Sequence, residues 1–149
     1  MLTSEGRGAR PPATISAVCR ARTSGLSRLG VVFDIVLTSP LVRARQTAEI
    51  VAGGLAPRPS LVNIDALAPD SGYAALITEL EKHARKPRIA LVGHEPDIGE
   101  LGARLVGSRR SIEFKKGAIC RIDVDEIPPN GPGQLRWFLT PKILLSLKK

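Results

Sequence analysis

Residues 31–48 read Val-Val-Phe-Asp-Ile-Val-Leu-Thr-Ser-Pro-Leu-Val-Arg-Ala-Arg-Gln-Thr-Ala, and their pattern indicates the fold class of the chain. Its first part, 31–37, is rich in β-branched apolar residues, which is typical of a buried strand. Residues 41–55 then have the character of a helix. Ser39 suits the N-cap of that helix, and Pro40 suits its first position. A buried strand that runs straight into a capped helix indicates an α/β protein.

The chain beyond this stretch continues the alternation. The spacing of apolar residues predicts strands at 61–64, 89–92, 118–124 and 134–139, and helices at 73–85, 98–105 and 141–147. A Pro- and Gly-rich turn, 128–133, separates the last two strands. Strands that alternate with helices predict a three-layer α/β/α sandwich, with helices on both faces of one sheet.

The first 28 residues fit this alternation poorly, so we treat 1–28 as an atypical N-terminal segment and 29–149 as the domain. Five arginines and the breaker Pro11-Pro12 lie in this segment. Three interpretations stay open. Residues from Ile15 to Leu29 give a weak helical face, residues 14–19 suit a short strand, and the segment also has the composition of an irregular or disordered one.

The net charge of +8, from 22 basic and 14 acidic residues in 149, favours anionic ligands such as phosphoryl groups. The basic residues are scattered and aromatic residues make up 3% of the chain, so we do not expect nucleic acid as the main ligand.

No apolar run is long enough for a membrane span, and the first residues lack the apolar core of a secretory signal. Cys19 and Cys120 form no Cys-x-x-Cys pair, which argues against a structural metal site. We expect a cytoplasmic protein that does not bind membranes.

Two strand-to-helix junctions carry polar side chains suited to an anion. At the first, Ser39 precedes the helix and Arg43 lies one turn into it, where its guanidinium can grip phosphate in a bidentate manner. At the second, the apolar strand at 89–92 ends in Gly93-His94. Parallel strands place such junctions at one edge of the sheet, so we expect Ser39, Arg43 and His94 to converge on a phosphate site. The alternatives are an ordinary capped helix with surface arginines and a histidine that bonds to a nearby carbonyl.

These two motifs resemble those of the histidine phosphatase (phosphoglycerate mutase-like) superfamily. The resemblance rests on the string Ser-Pro-Leu-x-Arg-Ala-x-Gln-Thr at 39–47, followed by a strand that ends in Val-Gly-His. The segments Leu67-Ala68-Pro69, 114–118 and 133–141 are similar to those of SixA-type phosphohistidine phosphatases. The resemblance extends from Leu29 to Leu147 and implies a phosphoglycerate mutase-like fold.

The resemblance also implies a mechanism. In this superfamily a histidine in an Arg-His-Gly motif, at the end of the first strand, attacks phosphorus and forms a phosphohistidine that water then hydrolyses. Arg43 would clamp the phosphoryl oxygens, with Ser39 beside it, and His94 would be the second histidine, which stabilises charge on the transferring group. No cofactor or metal is implied. The implied partner is a phosphorylated substrate, such as a phosphohistidine protein of the histidine-containing phosphotransfer type.

The sequence departs from the family at the nucleophile, because it contains no Arg-His pair. Its other histidine, His83, lies at the predicted end of a helix and is expected at the surface. Leu2-Thr3-Ser4-Glu5-Gly6 resembles the segment that follows the first strand in the family. We therefore expect an N-terminus that is truncated or altered, a first central strand that is missing or replaced, and impaired hydrolysis. The alternatives are a pseudo-phosphatase that binds phosphate or phosphoprotein, and a small-molecule phosphatase or mutase. No carboxylate stands out as an acid or base.

Overall fold

The structure, a computed structural model, describes residues 13–19 and 29–147. Within these residues the strands are β1 (Ala13–Cys19), β2 (Ile35–Thr38), β3 (Ser60–Asn63), β4 (Arg88–Gly93), β5 (Ile119–Val124) and β6 (Gln134–Leu139). The helices are α1 (Val42–Gly53), α2 (Tyr73–Glu81), α3 (Asp97–Val106) and α4 (Pro141–Ser146), with a short 3-10 helix at Asp65–Leu67. In the described part of the chain, no helix has both the length and the apolar character to cross a membrane.

The strands form one sheet in the order β3-β2-β4-β1-β5-β6. The pairs β3–β2, β2–β4 and β4–β1 are parallel. The pairs β1–β5 and β5–β6 are antiparallel. One face of the sheet packs against apolar residues of α2 and α3, and the other packs against residues of α1 and α4. The predicted three-layer α/β/α sandwich is therefore confirmed.

The strands and helices predicted after residue 30 are all present, with shifts at their ends. β2 begins at Ile35 rather than at residue 31, and Asp34, just before it, binds Arg88 at the start of β4. α2 ends at Glu81, and turns occupy 82–85, where the helical pattern continued. Such terminal differences are expected, since apolar spacing locates the middle of a helix better than its ends.

The segment before residue 29 supplies a central strand of the sheet. β1 lies between β4, to which it is parallel, and β5, to which it is antiparallel. The strand interpretation of 14–19 is thus the one that the structure shows, and the helical and disordered alternatives do not hold for 13–19. Two hydrogen-bonded neighbours and helices on both faces bury this run of apolar and β-branched residues, which explains the strand. Residues 1–12 and 20–28 lie outside the described residues. The first central strand is therefore replaced rather than missing.

The two central strands, β4 and β1, each form hydrogen bonds to an aspartate near their first residue. Asp34 accepts hydrogen bonds from the backbone and the guanidinium of Arg88, at the start of β4, and these bonds lower the pKa of its carboxyl. Asp123, on β5, accepts from Thr14 of β1 and from two arginines. Burial alone would raise the pKa of Asp123, but the hydrogen bonds from these partners outweigh it and lower the pKa.

Candidate functional site

Ser39 follows β2 and is buried. Its backbone N–H donates to the carbonyl of Val92 at 3.0 Å, which extends the pairing of β2 with β4 by one residue. Its hydroxyl oxygen accepts a hydrogen bond from the backbone N–H of Leu41 at 3.2 Å. The prediction that Ser39 caps the helix is wrong, because α1 begins at Val42 with Leu41 in the N-cap position. Ser39 instead closes the tight turn that leads into α1.

His94 follows β4 at the same edge of the sheet. Its side chain is 9% exposed, and its Nε2 lies 2.9 Å from the hydroxyl oxygen of Ser39. The backbone carbonyl of His94 accepts from Ile98 at 2.7 Å, which ties the residue to the first turn of α3. Two residues that are 55 positions apart thus meet because β2 and β4 are adjacent and parallel. The contact joins the imidazole ring of His94 to a hydroxyl that the turn before α1 holds in place.

Arg43 lies in the first turn of α1 and is exposed. Within the described residues its guanidinium forms no ion pair. Arg45, two residues further, is bound instead, since its guanidinium contacts Glu49 at 3.1 Å and Asn63 at 2.6 Å. The Arg43 guanidinium is therefore an exposed positive charge in the first turn of α1, four residues after Ser39 in the chain. The structure brings Ser39 and His94 into direct contact, and the role of Arg43 as a phosphate clamp stays a prediction.

Glu95, next to His94, is a structural residue. One carboxylate oxygen accepts from the backbone N–H of Gly99 at 2.7 Å, and the other accepts from that of Phe114 at 3.1 Å. These bonds join the start of α3 to the loop at 107–118. A side chain at Gly99 would collide with the carbonyl oxygen of Ile112 and with Glu95, so the loop approaches the helix closely only because this residue is glycine. Both oxygens of Glu95 have backbone partners, which argues against an acid–base role.

A cleft of about 270 Å³, lined in part by His94, opens between α2 and α3. Tyr73 and Arg104 form part of its wall, with the guanidinium carbon 4.2 Å from the centre of the ring. Burial raises the pKa of the Tyr73 phenol, against the opposing charge of Arg104. Sequence reasoning missed this cleft. Tyr73 and Arg104 lie on different helices, and each has the spacing of an ordinary helical residue, so no local signal connects them.

His83, the second histidine, lies far from this edge. It occupies the turn after α2, before β4 begins, whereas His94 follows the end of β4. The six residues of β4 span about 20 Å between the two ends of the strand. Among the described residues, no group of three His, Cys, Asp or Glu side chains is placed to bind a metal ion.

The solved structures that share this fold include several phosphatases. The protein histidine phosphatase SixA, in complex with tungstate, matches with a TM-score of 0.74 and 21% identity, over 87% of this chain and 97% of that one. The SixA of Agrobacterium tumefaciens matches with a TM-score of 0.70 and 16% identity, over 87% and 98%. The alpha-ribazole phosphatase of Shigella flexneri matches with a TM-score of 0.58 and 16% identity, over 83% and 95%.

The chain therefore has the fold of the histidine phosphatase superfamily, which confirms the resemblance seen in the sequence. No family model matches the sequence. An uncharacterized protein of the cyanobacterium Picosynechococcus sp. (strain PCC 7002) is 36% identical over 127 residues, covering 80% of this chain and 76% of that protein. The chain belongs to the same family as this cyanobacterial protein.

Proposed function

We propose that this protein binds phosphoryl groups at Ser39, Arg43 and His94, and that it is a phosphohistidine phosphatase-like hydrolase with impaired turnover. The observation that carries the proposal is the 2.9 Å contact between His94 and Ser39 at the carboxyl edge of two parallel strands. Open α/β sheets bind their ligands at this edge. The SixA structure with tungstate, a tetrahedral oxyanion like phosphate, supports an oxyanion ligand.

The chemistry of these groups suits phosphoryl recognition rather than nucleophilic attack. Arg43 supplies a permanent positive charge and two parallel N–H donors, which match two phosphoryl oxygens. His94 adds a ring that becomes cationic on protonation, and Ser39 holds that ring in one orientation. Together they would stabilise the charge of a transferring phosphoryl group, which is most of what phosphoryl transfer requires of a protein.

Hydrolysis through a phosphohistidine needs a second histidine, which the chain does not provide at this edge. His83 lies at the other end of β4, and Cys120 is buried among apolar residues, where desolvation raises the pKa of its thiol to about 12. A thiol with that pKa is not a nucleophile at neutral pH. This is why we propose impaired turnover. The same observation favours a second candidate, a pseudo-phosphatase that binds phosphate or phosphoprotein without cleaving it.

The proposed substrate is a phosphohistidine protein, such as a histidine-containing phosphotransfer domain. A small-molecule phosphatase or mutase activity is the alternative within the superfamily. We propose a cytoplasmic location, where such phosphotransfer proteins act.

Isothermal titration with inorganic phosphate and with vanadate, at low and at high salt, tests the phosphate site. We expect weak binding that falls as salt rises, because salt screens an exposed guanidinium. Arg43→Ala should weaken binding about tenfold or more, since a charge-assisted hydrogen bond contributes about 1.5–3 kcal/mol. Arg45→Ala is the matched control, because Arg45 is engaged by Glu49 and Asn63. If both variants bind phosphate as the natural chain does, Arg43 is not part of the site.

A further inference from the structure

The cleft beside His94 has an apolar floor. His94 and Gly93 line it at the edge of the sheet, and the floor is made by leucine and isoleucine side chains from the 3-10 helix, α2 and α3, namely Leu67, Leu76, Ile98 and Leu101. Its volume of about 270 Å³ is below the roughly 300–1,000 Å³ of pockets that enclose a whole small-molecule ligand. The cleft therefore suits one side chain better than a complete cofactor or metabolite.

The wall of the cleft limits what enters it. Arg104 lies over the Tyr73 ring, so this cation is already engaged. The carboxylates of Asp97 and Glu100 also line the cleft and disfavour an anionic side chain there. The loop at 107–118 closes one end with Arg109 and Ser111, and the Glu95 bonds to Gly99 and Phe114 hold this loop against α3.

Two exposed apolar residues that follow Ser39 in the chain form a second apolar surface. Leu41 is 47% exposed and Val42 is 69% exposed, at the turn that leads into α1. The backbone N–H of Leu41 donates to Ser39, so these side chains lie at the rim of the proposed phosphate site. Apolar side chains beside a binding site are typical of surfaces that contact proteins. A small anionic substrate would gain no binding energy from contacting them.

We propose that the cleft takes an apolar side chain that neighbours the phosphorylated residue of a protein substrate. The proposal rests on the proposed function, because it places the phosphoryl group at His94. The phosphoryl group lies between α1 and His94, the neighbouring side chain enters the cleft between α2 and α3, and Leu41 and Val42 contact the substrate surface. The cleft then selects among phosphoproteins by the residue beside the modified one.

Short fluorescent peptides that carry a stable phosphoryl-triazole in place of phosphohistidine test this selectivity. One pair of peptides has leucine or glycine before the modified residue, and a second pair has them after it. In fluorescence anisotropy we expect one leucine peptide to bind about tenfold more tightly than its glycine partner, because burying a leucine side chain contributes about 1.5–3 kcal/mol.

Two tryptophan substitutions provide the structural test. Ala68→Trp fills the cleft from its wall, and Ala75→Trp places the same bulk on an exposed position of α2 outside the cleft. Ala68→Trp should abolish the leucine preference and leave binding of inorganic phosphate unchanged, while Ala75→Trp should alter neither. Circular dichroism confirms that both variants fold.

The outcomes separate this inference from the proposed function. Equal binding of leucine and glycine peptides to the natural chain, or a leucine preference that survives in Ala68→Trp, overturns the cleft as the selecting element. Absence of phosphate binding overturns the phosphate site instead. In that case, the same peptides without the phosphoryl group still report whether the cleft accepts leucine.

Discussion

The two central strands of the sheet, β4 and β1, are parallel neighbours with similar surroundings and different endings. They pair in register from Thr14 opposite Arg88 to Cys19 opposite Gly93. Both are buried by helices on each face, and both are tied near their start by an aspartate. β4 ends at Gly93 and is followed by His94, whose imidazole contacts Ser39, whereas β1 ends at Cys19.

This difference separates what the fold requires from what the chemistry requires. A central position in a covered sheet is filled by apolar and β-branched residues that pair on both sides, and the sequence Ala-Thr-Ile-Ser-Ala-Val-Cys meets that need. The mechanism that the sequence resemblance implies needs a particular side chain at the end of this strand, and the packing of the strand does not supply it. The following experiments test how far the two strands are equivalent.

The largest expected effect is on turnover. We expect the natural chain to hydrolyse a phosphohistidine peptide very slowly. The triple variant Cys19→Arg, Arg20→His and Ala21→Gly introduces an Arg-His-Gly motif next to the strand that pairs with β4. We expect turnover, measured as phosphate release, to rise at least about a thousandfold. The reason is that removal of a nucleophile typically lowers the rate by several orders of magnitude.

The control for this experiment is the same triple variant with Arg20→Asn, which differs only in the nucleophile. Circular dichroism verifies the fold of each variant. Equal phosphate release by the histidine and asparagine variants would mean that catalysis runs through another residue.

The second effect is on stability. Ile15 in β1 and Ile89 in β4 are opposite each other, and both are fully buried. We expect Ile15→Ala and Ile89→Ala each to lower the free energy of unfolding by about 2–5 kcal/mol, through lost burial and the cavity left behind. Urea denaturation followed by circular dichroism measures both. If Ile89→Ala is costly and Ile15→Ala costs less than about 0.5 kcal/mol, β1 is not a packed central strand.

The smallest effect concerns the aspartates that anchor the two strands. The pKa of Asp123 and that of Asp34 are lowered in the folded protein, so each carboxylate stabilises the fold above the unfolded carboxyl pKa, near 4. That contribution is lost as pH falls through the lower, folded pKa. We expect Asp123→Asn and Asp34→Asn each to reduce stability at pH 7 by at most about 1 kcal/mol, since the arginine partners are solvent-exposed.

Urea denaturation at pH 7 and at pH 3 measures this dependence. The natural chain should lose more stability between the two pH values than either asparagine variant does. If the stability of a variant depends on pH as that of the natural chain does, the aspartate that was replaced makes no net contribution to stability through its hydrogen bonds.

Much of the sheet and part of the candidate site could be predicted from the sequence. The strand and helix order from residue 31 onward follows from apolar spacing, and the two junctions that hold Ser39 and His94 are visible as motifs. The N-cap assignment of Ser39 failed because its hydroxyl closes a turn and meets His94, a contact that no local pattern encodes. The arginine-rich context of β1 obscured a strand that its two neighbouring strands and the helices on both faces stabilise.

By itself, the sequence determined the α/β alternation, the positions of the two motifs and the absence of an Arg-His pair, because each depends on residues close together in the chain. Only long-range contacts place residues 13–19 at the centre of the sheet, His94 against Ser39, and Tyr73 and Arg104 in the wall of one cleft. The pairing of strands and the docking of helices join residues tens of positions apart, and the energies of these long-range contacts override weak local preferences.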